Sequence, residues 1–372
     1  MSVVIVGAGQ GGFQAAAALR TEGYSGAITL LGDEPHLPYQ RPPLSKGFLL
    51  GKQDLESATL RPSKYYQDQR IDFLAGERAA RIDRESRQIV LASGTKIPYD
   101  HLVLATGASV KRLPNPDARY LRGRDDAMEL KDRLDRAGSV VVIGGGFIGL
   151  EVAAAARSLG KEVTVVEVQS RLMARGVAPN VSDFFRDLHI RYGVRILLGS
   201  GEPPPGADLE VAGIGVGPNV ELAREAGLAV ADGIAVDDHL RTSDPRIFAI
   251  GDCACHRSRR LESVQNAVDQ AKCAAANIAG RNEPYHSVPW FWTDQFDVKL
   301  QMAGLSGGAD LVVLRGVAPK FSAFYFQAGR LIAVDSINRP GDHILARKLL
   351  NSSPELTAEQ AADESFDLKS LL

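Results

Sequence analysis

The sequence predicts an α/β protein with two three-layer domains, each built on a parallel sheet, and a small α+β domain at its C-terminal end. Three observations carry this. A short apolar run ending in glycine, an alanine-rich helical stretch and a second apolar run occur in that order twice, about 137 residues apart. The apolar runs lack polar alternation, as strands covered on both faces do. After about Pro289 the texture changes to alternating segments, which is the signature of an antiparallel sheet.

Taken in order, residues 3–6 (VVIV) form the first strand, 13–19 lie in a helix and 27–31 form the next strand. Between strand and helix stands Gly7-Ala8-Gly9-Gln10-Gly11-Gly12, a G-x-G-x-x-G in the context that gives the motif its meaning. Gly7 permits the tight turn, Gly9 lets backbone approach a pyrophosphate and Gly12 allows close packing of helix on strand. The helix N-terminus favours the anion, and Asp33 or Glu34, after the second strand, accepts ribose hydroxyls. Residues 102–108 (LVLATGA) and 247–252 (IFAIGD) have the form of strand ends that return to this first nucleotide, so the first domain is discontinuous.

The unit repeats with strand 140–143, helix 147–159 and strand 162–166, and its motif is Gly144-Gly145-Gly146-Phe147-Ile148-Gly149. Glu167 closes the following strand; it would bind both adenosine ribose hydroxyls and repel a 2′-phosphate, so NADH is expected over NADPH. Arg171 and Arg175, just beyond, are candidate phosphate contacts. Residues 199–207 (GSGEPPPGA) cannot hold regular structure and form a loop. Segments 310–315, 321–326 and 331–336 are strands, 327–330 is a hairpin turn and 339–350 a covering helix. The expected domains are 1–111 with 234–289 for one dinucleotide, 112–233 for the other, and 290–372.

Composition narrows the chemistry. A chain of 372 residues with 43 basic and 45 acidic side chains has no field for general nucleic-acid binding. The 37 glycines are about one residue in ten, above the usual 7% or so, which the two motifs and their turns help to explain. Cys253, Cys255 and Cys273 are too few for a disulfide framework, and no second pair of ligands completes Cys253-Ala254-Cys255-His256 as a metal site. There is no apolar run long enough to span a membrane and no basic n-region before residues 3–6, so a cytoplasmic location is expected. Two dinucleotide sites in one chain imply a flavin plus a nicotinamide, because flavin accepts a hydride and can release electrons singly.

Motifs throughout the chain make the resemblance specific: RPPLSK (41–46), ATGA (105–108), GGGFIGLE (144–151), GIGVGPN (213–219), GDC (251–253), ESVQNAVDQA (262–271) and PWFWTDQ (289–295). The sequence resembles the oxygenase-coupled FAD-dependent NADH:ferredoxin reductases, the family of putidaredoxin, palustrisredoxin and biphenyl dioxygenase ferredoxin reductases. The resemblance implies a glutathione-reductase-like arrangement of two Rossmann-like domains. It implies that Arg41 reaches the flavin pyrophosphate, that Lys46 lies near the reactive N5, and that Ala105, Thr106, Gly107, Asp252, Val264 and Trp292 also contact FAD. Glu151 is implied to face the nicotinamide and pair with Lys46, while Phe147, Ile148, Gly213, Ile214 and Arg175 line the NADH site. The activity implied is hydride transfer from NADH to FAD N5, then two single-electron transfers to a [2Fe–2S] ferredoxin that feeds a P450 or Rieske oxygenase. Lys272 and Arg347 occupy positions that face the ferredoxin in the family, and Arg257, Arg259 and Arg260 add basic charge nearby.

The absence of cysteine before position 253 removes the dithiol that flavin disulfide reductases need. An NADH oxidase or an apoptosis-inducing-factor-like flavoprotein is the alternative activity, and a non-catalytic flavin-binding protein a third reading. Segments 199–207, 112–120 and 256–260 are shorter than is usual in the family.

Overall fold

In the computed structural model, which describes residues 1–352 and 355–372, the chain gathers into two compact units, each drawn from three separate segments. One comprises Met1–Gln40, Glu56–Ser109 and Val216–Ser287; the other comprises Arg41–Leu55, Val110–Gly215 and Val288–Leu372.

The first unit is organised by a parallel sheet in the order Ile247–Ala249, His101–Leu104, Ser2–Val6, Ala27–Gly32, Ile71–Ala75. Val3 and Ile5 of the central strand pack toward the helices Gln10–Thr21 and Val264–Ile278, whereas Val4 and Val6 pack with Ile89, Leu91 and Ile234 on the other face. Cover on both faces is why residues 3–6 are continuously apolar. Ala15, Ala16, Ala271, Ala274 and Ala275 are buried in one cluster, and such small residues let the two helices approach closely. A leucine at Ala271 would overpack this seam at a cost of about 1–3 kcal/mol. From Ser2–Val6 the chain pairs with Ala27–Gly32 on one side and His101–Leu104 on the other, and this divergence opens a crevice at the strands' carboxyl ends.

The second unit repeats the device with parallel strands in the order Arg195–Leu198, Glu162–Glu167, Ser139–Ile143, Leu209–Ala212 and the crossover helix Phe147–Ser158. Its C-terminal portion is an antiparallel sheet in the order Trp290–Gln295, Val298–Gly304, Arg330–Ile337, Lys320–Gln327, Leu311–Val317, followed by the helix Pro340–Ser352. Gln327 pairs with Arg330 across a two-residue turn in which Ala328 (φ 48°) and Gly329 (φ 76°) both take the left-handed conformation, as a type I′ hairpin requires.

One strand departs from the alternation read in the sequence. Phe321 through Phe326 are all buried, because Phe324 and Phe326 pack with Ala346 and Leu349 while Phe321 packs edge-on against Phe184 of the helix Pro179–Arg191. The sheet is therefore covered on both faces here. Residues 199–207 form an irregular loop. Among the described residues no helix is long and apolar enough to cross a membrane.

Candidate functional site

Both glycine motifs are built on the same contacts. Gly7 (φ 107°) and Gly144 (φ 105°) take conformations that side chains avoid, and a Cβ on them would lie 2.2 Å from the Ala105 carbonyl oxygen and 2.6 Å from that of Gly213. Each turn is thus seated against the end of the strand on the far side of the crevice. The middle glycines differ: among the described residues a Cβ on Gly9 would meet nothing within 4 Å, and one on Gly146 only the Gly213 oxygen at 3.9 Å. The side facing away from the protein is open, as a bound pyrophosphate needs. The helices begin immediately after, at Gln10 and Phe147, with glycine N-caps that supply no side-chain cap, so their first N–H groups can meet an anion. Gly12 and Gly149 close each motif against the carbonyls of Gly7 and Gly144.

In the first unit Asp33 is exposed beyond Ala27–Gly32, and Glu34 is half-buried, its Oε2 accepting a 2.6 Å bond from the Tyr39 hydroxyl. The turn Ala105-Thr106-Gly107 is clamped by Asn219, whose Nδ2 donates to the Thr106 carbonyl at 2.8 Å and whose backbone N–H donates to that of Gly107 at 2.9 Å. Asp252 lies in the turn Gly251–Cys253, which Gln270 of the helix Val264–Ile278 fixes by accepting the Gly251 N–H at 2.7 Å. Val264, half-buried, opens that helix behind the Ser263 cap. The motif turn approaches the same helix, since a Cβ on Gly11 would lie 3.6 Å from that of Ala267.

In the second unit Glu167 Oε2 accepts the Gly145 N–H at 2.7 Å and Oε1 the Gln169 N–H at 2.8 Å, which fixes a carboxylate at the mouth of the second motif. Arg171 donates to the carbonyls of Val177 (2.7 Å) and Ala174 (2.6 Å) and so braces its own loop, whereas Arg175 is exposed. Phe147 packs on Phe291 with ring centroids 4.8 Å apart, and Ile148 is exposed. Ile214 follows Gly213, whose N–H donates to Ile143 at 2.7 Å. Arg41 donates to the Arg122 carbonyl at 2.6 Å. Trp292 is half-buried beside Trp290, and the guanidinium of exposed Arg347 lies 4.7 Å from the Trp290 ring centre. Lys272 is exposed on its helix in the first unit.

Lys46 and Glu151 are brought together within this second unit. Lys46 follows the tight turn Pro42–Ser45, and its Nζ lies 2.8 Å from Oε1 of Glu151 on the second turn of Phe147–Ser158. The Glu151 side chain is 1% exposed and that of Lys46 18%. Oε1 also accepts the Thr293 hydroxyl at 2.6 Å, and Oε2 accepts that of Ser45. A carboxylate taken out of water is tolerable only with such a set of donors. Glu151 is not a solvated carboxylate at a helix start.

Ser45, Thr293 and Asn219 each lie inside one of the sequence motifs, yet the motifs by themselves do not mark these side chains for the contacts they make. A signal for Thr293 existed: in the strand Trp290–Gln295 it alternates with Trp292, so it faces the opposite side. Two of the three arginines before Val264–Ile278 are engaged, Arg257 with Asp238 at 2.7 Å and Arg260 with Glu262 and Asp232. The Cys253 thiol is wholly buried, donates to the carbonyls of Leu104 and Ile250, and burial raises its pKa. The cysteines are free, and no cluster with metal-ligand geometry occurs among the described residues.

Comparison with known proteins gives whole-length likenesses. Residues 1–201 and 206–271 match the family model for pyridine nucleotide-disulphide oxidoreductases, and residues 290–372 match that for the reductase C-terminal domain. The chain is 49% identical to rhodocoxin reductase of Rhodococcus erythropolis over 400 aligned positions, covering 99% of this chain and 94% of the relative. The alignment is longer than this chain's 372 residues, so the relative carries residues that this chain lacks. The structure of the ferredoxin reductase for the CYP199A2 system from Rhodopseudomonas palustris superposes with a TM-score of 0.96 at 49% identity, covering 99% of each chain. The reductase in the covalent putidaredoxin reductase–putidaredoxin complex gives 0.95 at 40% identity, covering 100% of this chain and 97% of that one.

Proposed function

The chain belongs to the pyridine nucleotide-disulphide oxidoreductase family, and from that premise we propose that it is an FAD-dependent ferredoxin reductase that takes its electrons from NADH. Overall, one NADH becomes NAD⁺ and a proton while two one-electron ferredoxins of the [2Fe–2S] class are reduced for a P450 or Rieske oxygenase. The observation that carries the chemistry is the pairing of half-buried Lys46 with Glu151, which is buried on the helix that begins in the second glycine motif.

The open middle glycine and uncapped helix of the first motif suit an adenine dinucleotide at Gly7, Gly9 and Gly12, with Asp33 and Glu34 beside them; that this dinucleotide is FAD, and that Ala105, Thr106, Gly107, Asp252 and Val264 also contact it, rests on the resemblance. Bound flavin supplies an acceptor for two electrons that can be released one at a time. The roles assigned to Arg41 and Trp292 rest on the resemblance of RPPLSK and PWFWTDQ. Gly144, Gly146, Phe147, Ile148, Gly149, Gly213 and Ile214 are assigned to NADH. Glu167 favours NADH because its fixed carboxylate would meet a 2′-phosphate with like charge, and Arg171, engaged with its own loop, does not offset it. Glu151, itself shielded from water, holds the Lys46 ammonium in one place. Disulfide reduction does not fit the buried, singly spaced thiols Cys253 and Cys255. Lys272 and Arg347 are assigned to ferredoxin docking, where complementary charge would set the encounter rate. The domain boundaries proposed are 1–111 with 234–289, 112–233 and 290–372.

Anaerobic titration with NADH tests the reading: flavin absorbance is bleached by about one equivalent and returns on adding two equivalents of an oxidised [2Fe–2S] ferredoxin. Failure of NADH to bleach the flavin, or rapid reoxidation by oxygen with none by any ferredoxin, overturns it.

A further inference from the structure

Behind the Lys46–Glu151 pair a line of polar side chains runs through the interior of the second unit. Oε1 of Glu151 accepts from Thr293 (2.6 Å), Thr293 Oγ1 lies 3.3 Å from Nε2 of Gln295, and Gln295 Oε1 lies 2.9 Å from Nε2 of His189. Glu151 is 2% exposed and the other three 0%. We propose that His189, Gln295 and Thr293 form a one-directional donor chain that holds Glu151 in position for Lys46, so that His189 is a positioning residue for hydride transfer from NADH. The inference rests on the reading of Lys46 and Glu151 given above.

The direction follows from donor and acceptor parity. An ionised carboxylate beside an ammonium can only accept, so the Thr293 hydroxyl proton points at Glu151. The Thr293 oxygen must then accept, which turns the NH₂ of Gln295 toward it and leaves the Gln295 oxygen facing His189. His189 must therefore donate from Nε2. The ring is neutral at neutral pH, because burial lowers its pKa to about 4 against the opposing pull of the Gln295 bond. A neutral imidazole carries one N–H, and Nδ1 is buried without a partner among the described residues, which is the tautomer the chain demands. A residue present only for packing would strand no nitrogen here; a phenylalanine would fill the site against Phe296, whose ring centre lies 5.0 Å away. Without the His189 donor the Gln295 amide is free to turn over, and with it turned the Thr293 proton leaves Glu151.

The test uses flavin-loaded protein. Long-range ¹⁵N–¹H NMR on histidine-labelled enzyme should show His189 protonated at Nε2 with slow solvent exchange, and Glu151→Gln should move that proton upfield through the intervening pair. In anaerobic rapid mixing His189→Phe should lower the limiting rate of flavin reduction about tenfold with the apparent NADH affinity unchanged, and His189→Gln, whose Nε2 occupies the same place, should restore it. A wild-type rate in His189→Phe, no rescue by glutamine, or a His189 resonance indifferent to Glu151→Gln would overturn the chain. Should His189→Phe not fold, His189→Met, which also lacks a donor and leaves the Gln295 amide free to turn, carries the same expectations. Failure of the wild type to be reduced by NADH would sink the functional reading instead, while the NMR result judges the donor chain by itself.

Discussion

Replacing Lys46 by methionine keeps the reach of the side chain and removes its charge, leaving a carboxylate that is 1% exposed with the hydroxyls of Ser45 and Thr293 as its donors. At 2.8 Å and an effective dielectric of about 20 the lost attraction is about 6 kcal/mol, and breaking a buried pair from one side costs about 3–5 kcal/mol. Glu151→Gln should cost less, about 1–2 kcal/mol, because Lys46 is 18% exposed and can extend into water. The double variant should unfold later than Lys46→Met alone, since no charge is then left buried, giving a coupling of about 2–3 kcal/mol. Denaturant unfolding followed by tryptophan fluorescence reads this directly, because both tryptophans, Trp290 and Trp292, lie in the second unit with the pair. Rate and stability should part company: flavin reduction by NADH should fall about 10²-fold in each single variant and stay low in the double. Additive destabilisation would refute the pairing argument, and unchanged reduction in Glu151→Gln would refute the catalytic one.

Other expectations follow from single sites. Asp335 is wholly buried and burial raises its pKa to about 7, so between the unfolded value near 3.9 and that point the native state binds more protons than the unfolded one. Stability should therefore fall by up to about 4 kcal/mol as pH rises from 4 to 7, and the advantage of wild type over Asp335→Asn in thermal melts should shrink from pH 5 to pH 8; a constant difference refutes it. Glu167→Arg should lower kcat/KM for NADH at least about tenfold and raise that for NADPH, read by dye reduction. Arg315 is buried and donates to the carbonyls of Asp363 and Phe366, so Arg315→Met should free the C-terminal segment to proteolysis, which mass spectrometry of limited digests would detect. Charge reversal at Lys272 and Arg347 together should weaken ferredoxin reduction and its salt dependence while sparing reduction of a small dye; equal loss of both argues against docking there.

What the amino-acid order settles by itself is whatever a few neighbouring residues constrain. Two apolar runs without alternation announce buried parallel strands, Gly7 and Gly144 announce turns that side chains cannot make, and Ala328-Gly329 announces a hairpin. Each depends on backbone sterics or on the period of one element, so it is written locally. Tertiary structure alone decided what meets across long separations. It covered the strand Lys320–Gln327 on both faces, paired Arg257 with Asp238 and Arg260 with Asp232, and set Asn219 against the turn at Thr106. It also ran Thr293, Gln295 and His189 into line behind Glu151. Hydrogen bonding and charge burial depend on which side chains share an interior from which water is excluded, and that company is assembled only when strands and helices far apart in sequence pack together.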